Sequence, residues 1–326
     1  MKSFDGSREV LSNWPNPEIK RMKKNDLWHL FLLSVLTGLF LAILVIPVAF
    51  KPERNSIFVN AAALEPISKI VEDGLSADST IKPAESAIVD SSWWYRIAEN
   101  NAFGVGERLV FSVKYGMLPA GSAVIEIPEI VKYENKECYR VVSAAESNDV
   151  ISVFYKVRDS VETLIDANGI FARRFWKHLR EGGYKVDKTT FFDQRNHLAI
   201  TENDTIPTYS FVQDALSSLY YVRTQEFEIG KPILIDNHTD RKNYPLQINV
   251  LRKEKIEVSA GKFDCYVIEP VMRAEGIFRA KGRIWIWISD DQYKIPVQMK
   301  TEVFFLGSIS AQLSSYSLGK IEDQLE

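Results

Sequence analysis

The spacing of hydrophobic residues divides this chain into one apolar segment near its start and a long region of short, alternating stretches. The apolar segment runs from Leu27 to Phe50 and contains no Asp, Glu, Lys or Arg. As a helix with a rise of about 1.5 Å per residue it is about 36 Å long, which is enough to cross a hydrocarbon core of about 30 Å. The pattern therefore predicts a transmembrane helix over residues 27–50.

The charges beside this segment predict its orientation. Residues 1–26 carry six Lys or Arg against four Asp or Glu, and Lys20, Arg21, Lys23 and Lys24 lie close to the apolar segment. Because basic residues stay on the cytoplasmic side, we expect a cytoplasmic basic tail, a single-pass helix in a bacterial inner membrane, and a periplasmic C-terminal part. A cleaved secretory signal is the alternative, although the apolar core of such a signal is usually about 7–15 residues long.

The composition changes again after the apolar segment. Residues 51–92 are rich in Ala, Ser, Pro and charges of both signs, which is typical of a flexible tether. Residues 93–322 contain many stretches rich in Val, Ile, Phe and Tyr between Gly and Asn turns, which predicts an extracytoplasmic β domain. The predicted strands are Arg108 to Tyr115, Gly121 to Tyr133, Cys138 to Glu146, Ile170 to Arg180, Tyr184 to Asp193, Leu246 to Val258, Phe263 to Arg273, Gly282 to Ser289 and Val297 to Leu306.

One stretch of the β region has helical spacing. Between Tyr209 and Arg223 the apolar residues recur about three or four positions apart, which predicts a single helix. We expect Asp214 near its start and Arg223 at its end, since a helix favours anions at its first turn and cations at its last. The pattern predicts an all-β, mainly antiparallel barrel or half-barrel whose mouth or seam this helix covers, and a flat two-sheet sandwich is the alternative.

Composition and cysteine content narrow the function classes. The formal net charge is -3, whereas nucleic-acid binding usually requires a strongly basic domain, so no nucleic-acid partner is expected. Two cysteines, Cys138 and Cys265, are too few for a disulfide framework. An exported compartment permits one bridge between them, and two buried free thiols are the alternative.

Three groups of residues resemble one bacterial family. They are Gly106-Glu107-Arg108-Leu109 with Tyr115-Gly116 and Gly121, then Asp214-Ala215-Leu216-Ser217-Ser218-Leu219-Tyr220-Tyr221-Val222-Arg223, and Gly282-Arg283-Ile284-Trp285 with Pro296-Val297. On these residues the chain from about 103 to 315 is similar to the family called domain of unknown function 3108. The resemblance implies an exported, largely β, barrel-like protein without an established activity, and it brings no catalytic residue.

Five consecutive apolar residues form the first candidate binding feature. In a strand, Ile284, Ile286 and Ile288 share one face, while Trp285 and Trp287 share the other, so both faces need shielding from water. Large flat rings suit an acyl chain or the face of a sugar, which makes the two tryptophans candidate ligand-binding residues. Packing beneath the predicted helix is the alternative.

A basic hairpin is the second candidate binding feature. Its residues could attract anionic headgroups or polysaccharide by a charge interaction that salt would screen. A solvated hairpin whose charges protect an exposed sheet edge is the alternative. The basic residues are Arg173, Arg174, Lys177, Arg180, Lys185 and Lys188, and they are opposed by Glu181 and Asp187.

The sequence contains no motif that assigns a reaction. It has no H-E-x-x-H, no paired Cys-x-x-Cys and no G-x-S-x-G, so no metal, cofactor or catalytic residue is predicted. Acidic residues could still meet in the fold as an acid and a base. The acidic candidates for such a pair are Asp159, Glu162, Asp193, Asp290 and Asp291.

These observations favour a non-catalytic, membrane-anchored domain. It would contact the lipid bilayer through residues 27–50 and bind a lipid, a glycan or a protein partner of the cell envelope. An envelope hydrolase with paired carboxylates and a purely structural interaction module are the alternatives.

Overall fold

Antiparallel β-strands dominate the computed structural model, which describes residues 96–239, 241–272, 283–303 and 307–321. Within these ranges there are fourteen strands and two helices, α1 (Asp149–Ser152) and α2 (Ala215–Arg223). The strands are β1 (Arg108–Tyr115), β2 (Leu118–Tyr133), β3 (Lys136–Ser147), β4 (Arg158–Asp166), β5 (Ala172–Glu181), β6 (Tyr184–Asp193), β7 (Leu198–Ile200), β8 (Thr205–Pro207), β9 (Ile233–Thr239), β10 (Lys242–Val258), β11 (Gly261–Met272), β12 (Arg283–Ser289), β13 (Pro296–Val303) and β14 (Gly307–Ser317).

The described strands form one continuous sheet that curls on itself. Its order is β8-β7-β6-β5-β4-β3-β2-β1-β14-β13-β12-β11-β10-β9, so the only neighbours distant in sequence are β1 and β14. Edge strands β8 and β9 are not paired, so the sheet is open, but Asn243 of β10, the neighbour of β9, donates through its side chain to the Pro207 carbonyl of β8 at 2.8 Å. The Gln213 N–H also donates to the Asp236 carbonyl at 2.8 Å. The barrel-like, antiparallel fold is confirmed, and the two-sheet sandwich is wrong.

Alternation along the strands explains which face is buried. In β1, Leu109, Phe111 and Val113 are buried, and Val110 and Ser112 between them are more exposed. A strand places successive side chains on opposite faces, so the concave side of the sheet collects the apolar residues into one core.

Helix α2 lies within the curled sheet at one end and does more than cover an opening. All of its residues except Tyr221 are buried. It begins at Ala215 because Asp214 accepts hydrogen bonds from the backbone N–H groups of Leu216 and Ser217, both at 2.8 Å. The residues before the cap are not helical, and Phe211 has a φ of 55°. The expected position of Asp214 at the helix start is confirmed, while the expected start near Tyr209 is wrong.

A buried ion pair fastens the last turn of α2. The Arg223 guanidinium contacts the Glu107 carboxylate at 2.5 Å, and neither side chain is exposed. Tyr220 donates to the same carboxylate at 3.0 Å, and Arg223 also donates to the carbonyls of Ala102 and Tyr293. Burial is the largest single influence and disfavours the cation, but the charge of Glu107 and the hydrogen bonds to Glu107 and Tyr220 together outweigh it, so the pKa of Arg223 is raised. Arg223 does end the helix, and its partner is a carboxylate more than a hundred residues earlier in the chain.

The predicted tail (1–26), membrane helix (27–50) and tether (51–92) lie outside the described residues. Neither α1 nor α2, the helices of the described ranges, is long and apolar enough to span a bilayer. The orientation and location of the chain therefore stay predictions.

Candidate functional site: an apolar tip beside a carboxyl pair

Exposed apolar side chains gather at the end of the barrel that carries the β1–β2 and β5–β6 turns. Large apolar side chains usually leave water on folding, and contiguous exposed ones mark interaction sites. Here five of them have exposed fractions between 64% and 94%. We call this group the apolar tip, and it consists of Met117, Leu118, Val150, Val153 and Phe154.

Asn148 joins the two segments that carry the apolar tip. Its backbone N–H donates to the Ala120 carbonyl at 2.9 Å and its side-chain amide to the Pro119 carbonyl at 2.8 Å. Its side-chain oxygen accepts from the Ile151 N–H at 2.9 Å, which caps helix α1. The loop of residues 148–157 is therefore held against the start of β2, and both sets of apolar side chains lie at the same end of the barrel.

The charges around the apolar tip are balanced. Lys156 and Arg158 are exposed on one side, and Asp149 and Glu146 are exposed beside them. Arg158 lies opposite Glu146 in the β3–β4 register. The tip is thus an apolar surface without a net charge of its own.

Two carboxyl groups meet beneath this loop. Asp159 near the start of β4 and Glu181 at the end of β5 lie on the same face of neighbouring strands, and each carboxyl group affects the pKa of the other. Asp159 also accepts from the Arg180 N–H at 2.8 Å. Two touching carboxylates cannot both be ionised at low cost, so the pair holds a proton. Burial, followed by the contact with Asp159, raises the pKa of Glu181 to about 9, and burial also raises the pKa of Asp159.

The loop stem packs directly on this pair. Val157 forms a β-bridge with Glu181, and the Gly182 N–H donates to the Lys156 carbonyl at 2.8 Å. The Tyr155 ring covers Gly182 so closely that a Cβ there would lie 2.8 Å from the ring, at a residue whose φ is 54°. Among the described residues, the Tyr155 hydroxyl and Glu181 Oε1 are buried without a hydrogen-bond partner.

This geometry limits the chemistry of the carboxyl pair. Glycoside hydrolases place their two carboxyl groups about 5–9 Å apart to admit a sugar and a water, whereas Asp159 and Glu181 touch each other. Glu181 is also only 1% exposed. Within the described residues no three His, Cys, Asp or Glu side chains are placed to hold a metal ion. The pair can hold and release a proton, and its geometry does not fit the paired-carboxylate hydrolase.

The structure separates the isoleucines and tryptophans of β12 as the alternation predicts. Ile286 lies opposite the buried Met299, whereas Trp285 lies opposite Lys300 and Trp287 lies opposite Gln298. The tryptophans therefore share the sheet face opposite to the isoleucines, and on that face Trp287 also lies opposite the buried Val267 of β11 and belongs to the hydrophobic core. Trp287 is buried, and Trp285 is half-buried with the Arg283 guanidinium 4.8 Å from its ring. A role of these rings in ligand binding stays a prediction.

The basic residues of the hairpin do not form one surface, which corrects the expectation from sequence. Strand alternation buries Arg173 and Lys177 on the core side and leaves Arg174 and Arg180 partly exposed on the other. Arg173 contacts Asp166 at 2.6 Å, Arg174 pairs with Glu162, and Arg180 contacts Asp187 at 2.7 Å. These acidic partners neutralise much of the charge that the sequence places in this hairpin.

Cys138 and Cys265 are free, buried thiols in the described fold. They lie on β3 and β11, and five strands lie between these two in the sheet order. The bridge between them is not formed, and the alternative of two buried thiols is the arrangement that the structure has. Burial raises the pKa of each thiol to about 12.

Sequence reasoning missed the apolar tip, although a signal for it exists. The stretch Val150-Ile151-Ser152-Val153-Phe154 follows Asn148, a good helix cap, and is too short and too close to Arg158 to form another strand. Apolar residues at a turn between strands mark either a buried loop or an exposed contact surface. Only the fold distinguishes these two cases.

Comparisons with known proteins give a family and no activity. A family model described as protein of unknown function (DUF3108) matches residues 110–314. No curated protein matches the chain. Among solved structures, the chain is similar to a beta-barrel-like protein of domain of unknown function DUF1849 from Brucella abortus, with a TM-score of 0.44 and 10% identity over 68% of this chain and 100% of that chain. It is also similar to a DUF1089 family protein from Pseudomonas aeruginosa, with a TM-score of 0.33 and 9% identity over 56% of this chain and 90% of that chain.

Proposed function

This chain belongs to the family described as protein of unknown function (DUF3108), and we propose that its β domain is a non-catalytic module that docks on the lipid surface of the cell envelope through the apolar tip. The observation that carries the proposal is the exposure of five large apolar side chains on two adjoining segments. Membrane anchoring through residues 27–50 and a periplasmic location are part of the same proposal.

The rest of the chain favours a lipid bilayer as the binding partner of the apolar tip. If residues 27–50 span a membrane, the domain is held beside lipid by the tether of residues 51–92. A flexible chain of about 42 residues spans roughly 35 Å on average, and about 140 Å when extended. The described residues begin at the end of the barrel opposite the tip, where Arg96 donates to the Gly169 and Ile170 carbonyls, both at 2.7 Å. The 16 residues of β2 span roughly 50 Å, so the tether is long enough for the tip to turn toward the membrane.

Docking of this kind needs little intrinsic affinity. A large apolar side chain that leaves water contributes about 1.5–3 kcal/mol, so the five of the apolar tip can contribute several kcal/mol before ordering costs. A tethered domain has an effective concentration in the millimolar range, at which a binding free energy of about 4 kcal/mol is sufficient. Reversible contact with lipid is therefore within reach of this surface.

The balanced charges at the tip predict the lipid preference. Because Lys156 and Arg158 are offset by Asp149 and Glu146, attraction to anionic headgroups adds little. We expect similar docking on zwitterionic and anionic bilayers and a weak dependence on salt. A strong salt dependence would instead indicate the basic hairpin.

The test places a fluorophore at the tip of the full chain in lipid vesicles. The variant Phe154→Cys carries an environment-sensitive fluorophore, and spin-labelled lipids quench it only when it enters the bilayer. The matched control is Lys132→Cys, an exposed position toward the other end of β2. The buried thiols of Cys138 and Cys265 should not compete for the label.

We expect quenching at position 154 and none at position 132. Adding Leu118→Ser and Val153→Ser to the labelled Phe154→Cys chain should remove the quenching, because exposed substitutions of this kind rarely disturb folding. Equal quenching at both positions, or none at position 154, would contradict docking through the apolar tip.

A further inference from the structure

The loop that carries three of the five apolar tip residues is attached to a buried, titratable contact. Val150, Val153 and Phe154 lie in the loop of residues 148–157, and the last residues of that loop bond to the strand and turn that contain Glu181 and Gly182. The other end of the loop is held by Asn148, which does not titrate. Ser147 of β3 also bonds to Ser152 and Val157 of the loop. The carboxyl pair therefore lies beside one of several attachments of the loop, and it is the attachment that titrates.

We propose that Asp159 and Glu181 form a proton-linked latch that holds this loop closed while they share a proton and releases it when the proton is lost. This proposal rests on the proposed function, because it makes docking through the apolar tip depend on pH. Its geometric basis is the placement of the two carboxyl groups on one face of β4 and β5, together with the packing of Tyr155, Lys156 and Val157 on the residues beside them.

Loss of the proton would leave two negative charges in contact at a buried position. Glu181 is 1% exposed, and its Oε1 has no hydrogen-bond partner among the described residues, so solvent does little to relieve the repulsion and Lys177 offsets only part of it. The least costly relief is for Glu181 to reach water. That movement would break the Val157–Glu181 bridge and uncover the Tyr155 ring.

The charged groups around the pair set its titration. Lys177 favours ionisation of Glu181, while His178 and Arg180 favour ionisation of Asp159. On the other side of β5, Asp187 of β6 accepts from both His178 and Arg180 and offsets part of their effect. Other charged or titratable groups on the packed elements include Tyr155 and Lys156 in the loop, Arg158 on β4, Glu146 on β3, and Tyr184, Lys185 and Lys188 on β6.

The linkage between protonation of Glu181 and opening of the loop gives the direction and the size of the pH dependence. The pKa of Glu181 is about 9 when the latch is closed, against an ordinary value of 4.5. The closed loop is therefore most stable relative to the open loop below about pH 4.5, and this advantage is lost as the pH rises to about 9. Each pH unit in this window can change the open fraction by up to about tenfold.

Amide hydrogen exchange on the full chain measures the opening directly. We expect the protection of residues 155–157, after correction for intrinsic exchange rates, to fall by about 10- to 100-fold between pH 6 and pH 8. In Glu181→Gln, whose neutral amide can still donate to Asp159, the protection should not change over this range. The matched control Glu146→Gln removes an exposed carboxyl near the loop and should behave as the wild type does. In Asp159→Asn the repulsion is lost but Glu181 stays buried, so the protection should fall less than in the wild type between pH 6 and pH 8, and a fall as large as in the wild type would contradict a role of Asp159 in the latch.

The hydrogen-exchange and quenching results together distinguish a failure of the latch from a failure of the proposed docking. If the wild type and Glu181→Gln show the same pH profile, the latch is wrong. If the profile differs as expected but a fluorophore at position 154 is not quenched by lipid at any pH, the latch stands and the proposed docking fails. If both hold, quenching should change with pH in the wild type and stay constant in Glu181→Gln.

Discussion

The ion pair between Glu107 and Arg223 should be the costliest single interaction to break in the described domain. Both side chains are fully buried, and the Glu107 carboxylate accepts hydrogen bonds from two guanidinium nitrogens, at 2.7 and 2.5 Å, and from the Tyr220 hydroxyl at 3.0 Å. The variant Glu107→Gln keeps the shape of the side chain and removes its charge. It leaves a buried cation without its counterion.

The expected cost follows from that burial. Removing one partner of a buried ion pair costs about 3–5 kcal/mol, because the remaining charge stays desolvated. For a domain of this size a loss of 1 kcal/mol lowers Tm by roughly 2–4 °C, so we expect a decrease of roughly 6–20 °C. Replacing both partners, as in Glu107→Met with Arg223→Met, should recover much of the loss because no charge is left buried.

Equilibrium urea unfolding of the full chain in mild detergent, followed by tryptophan fluorescence, measures the free energy of unfolding. The matched control is Glu228→Gln, which breaks an ion pair with Lys231 whose side chains are 71% and 74% exposed. We expect no measurable change in this control, since exposed pairs contribute little. A Glu107→Gln protein within 1 kcal/mol of the wild type, or a double variant no more stable than the single one, would refute the reasoning.

Three further predictions test the fold around the site. In Gly121→Ala the new Cβ would lie 2.0 Å from the Glu146 carbonyl on β3, so we expect the free energy of unfolding in urea to fall by about 1–3 kcal/mol. In the control Gly183→Ala the new Cβ meets no atom within 4 Å and should be neutral. Equal effects of the two substitutions would contradict the close approach at Gly121. Burial raises the pKa of Asp214 to about 6. The free energy of unfolding of the wild type should therefore fall by up to about 3 kcal/mol relative to that of Asp214→Asn as the pH rises from about 4 to 6. A constant difference between the two proteins across that range would contradict the raised pKa. Cys138 and Cys265, with pKa values of about 12, should resist maleimide at pH 7.5 until the protein is unfolded, and rapid labelling of the folded chain would show that their burial is wrong.

Much of the local structure could be predicted from sequence because it depends on neighbouring residues. The period of two in Leu109, Phe111 and Val113 predicts β1, and Glu134-Asn135 provides the positive φ values of the turn between β2 and β3. Asp214 caps α2 through its own next residues. These features involve contacts within a few positions along the chain.

Other elements were missed because their residues give a weak local signal. Strand β14 consists largely of Ser, Ala and Gln, and its buried positions Ile309, Ala311 and Leu313 are separated by polar residues. Its place in the sheet depends on pairing with β1, about two hundred residues earlier. A window of ten residues does not contain that partner.

The sequence by itself determined the β character of the domain, the single inner helix and its cap, because side-chain periodicity and turn chemistry act over a few residues. Only the tertiary structure decided that Arg223 meets Glu107, that Asp159 touches Glu181 and that the apolar tip is exposed. Each of these depends on where distant strands come to lie when the sheet curls. The relative positions of these strands depend on burial of the whole hydrophobic core, so they cannot be read from any single segment of the sequence.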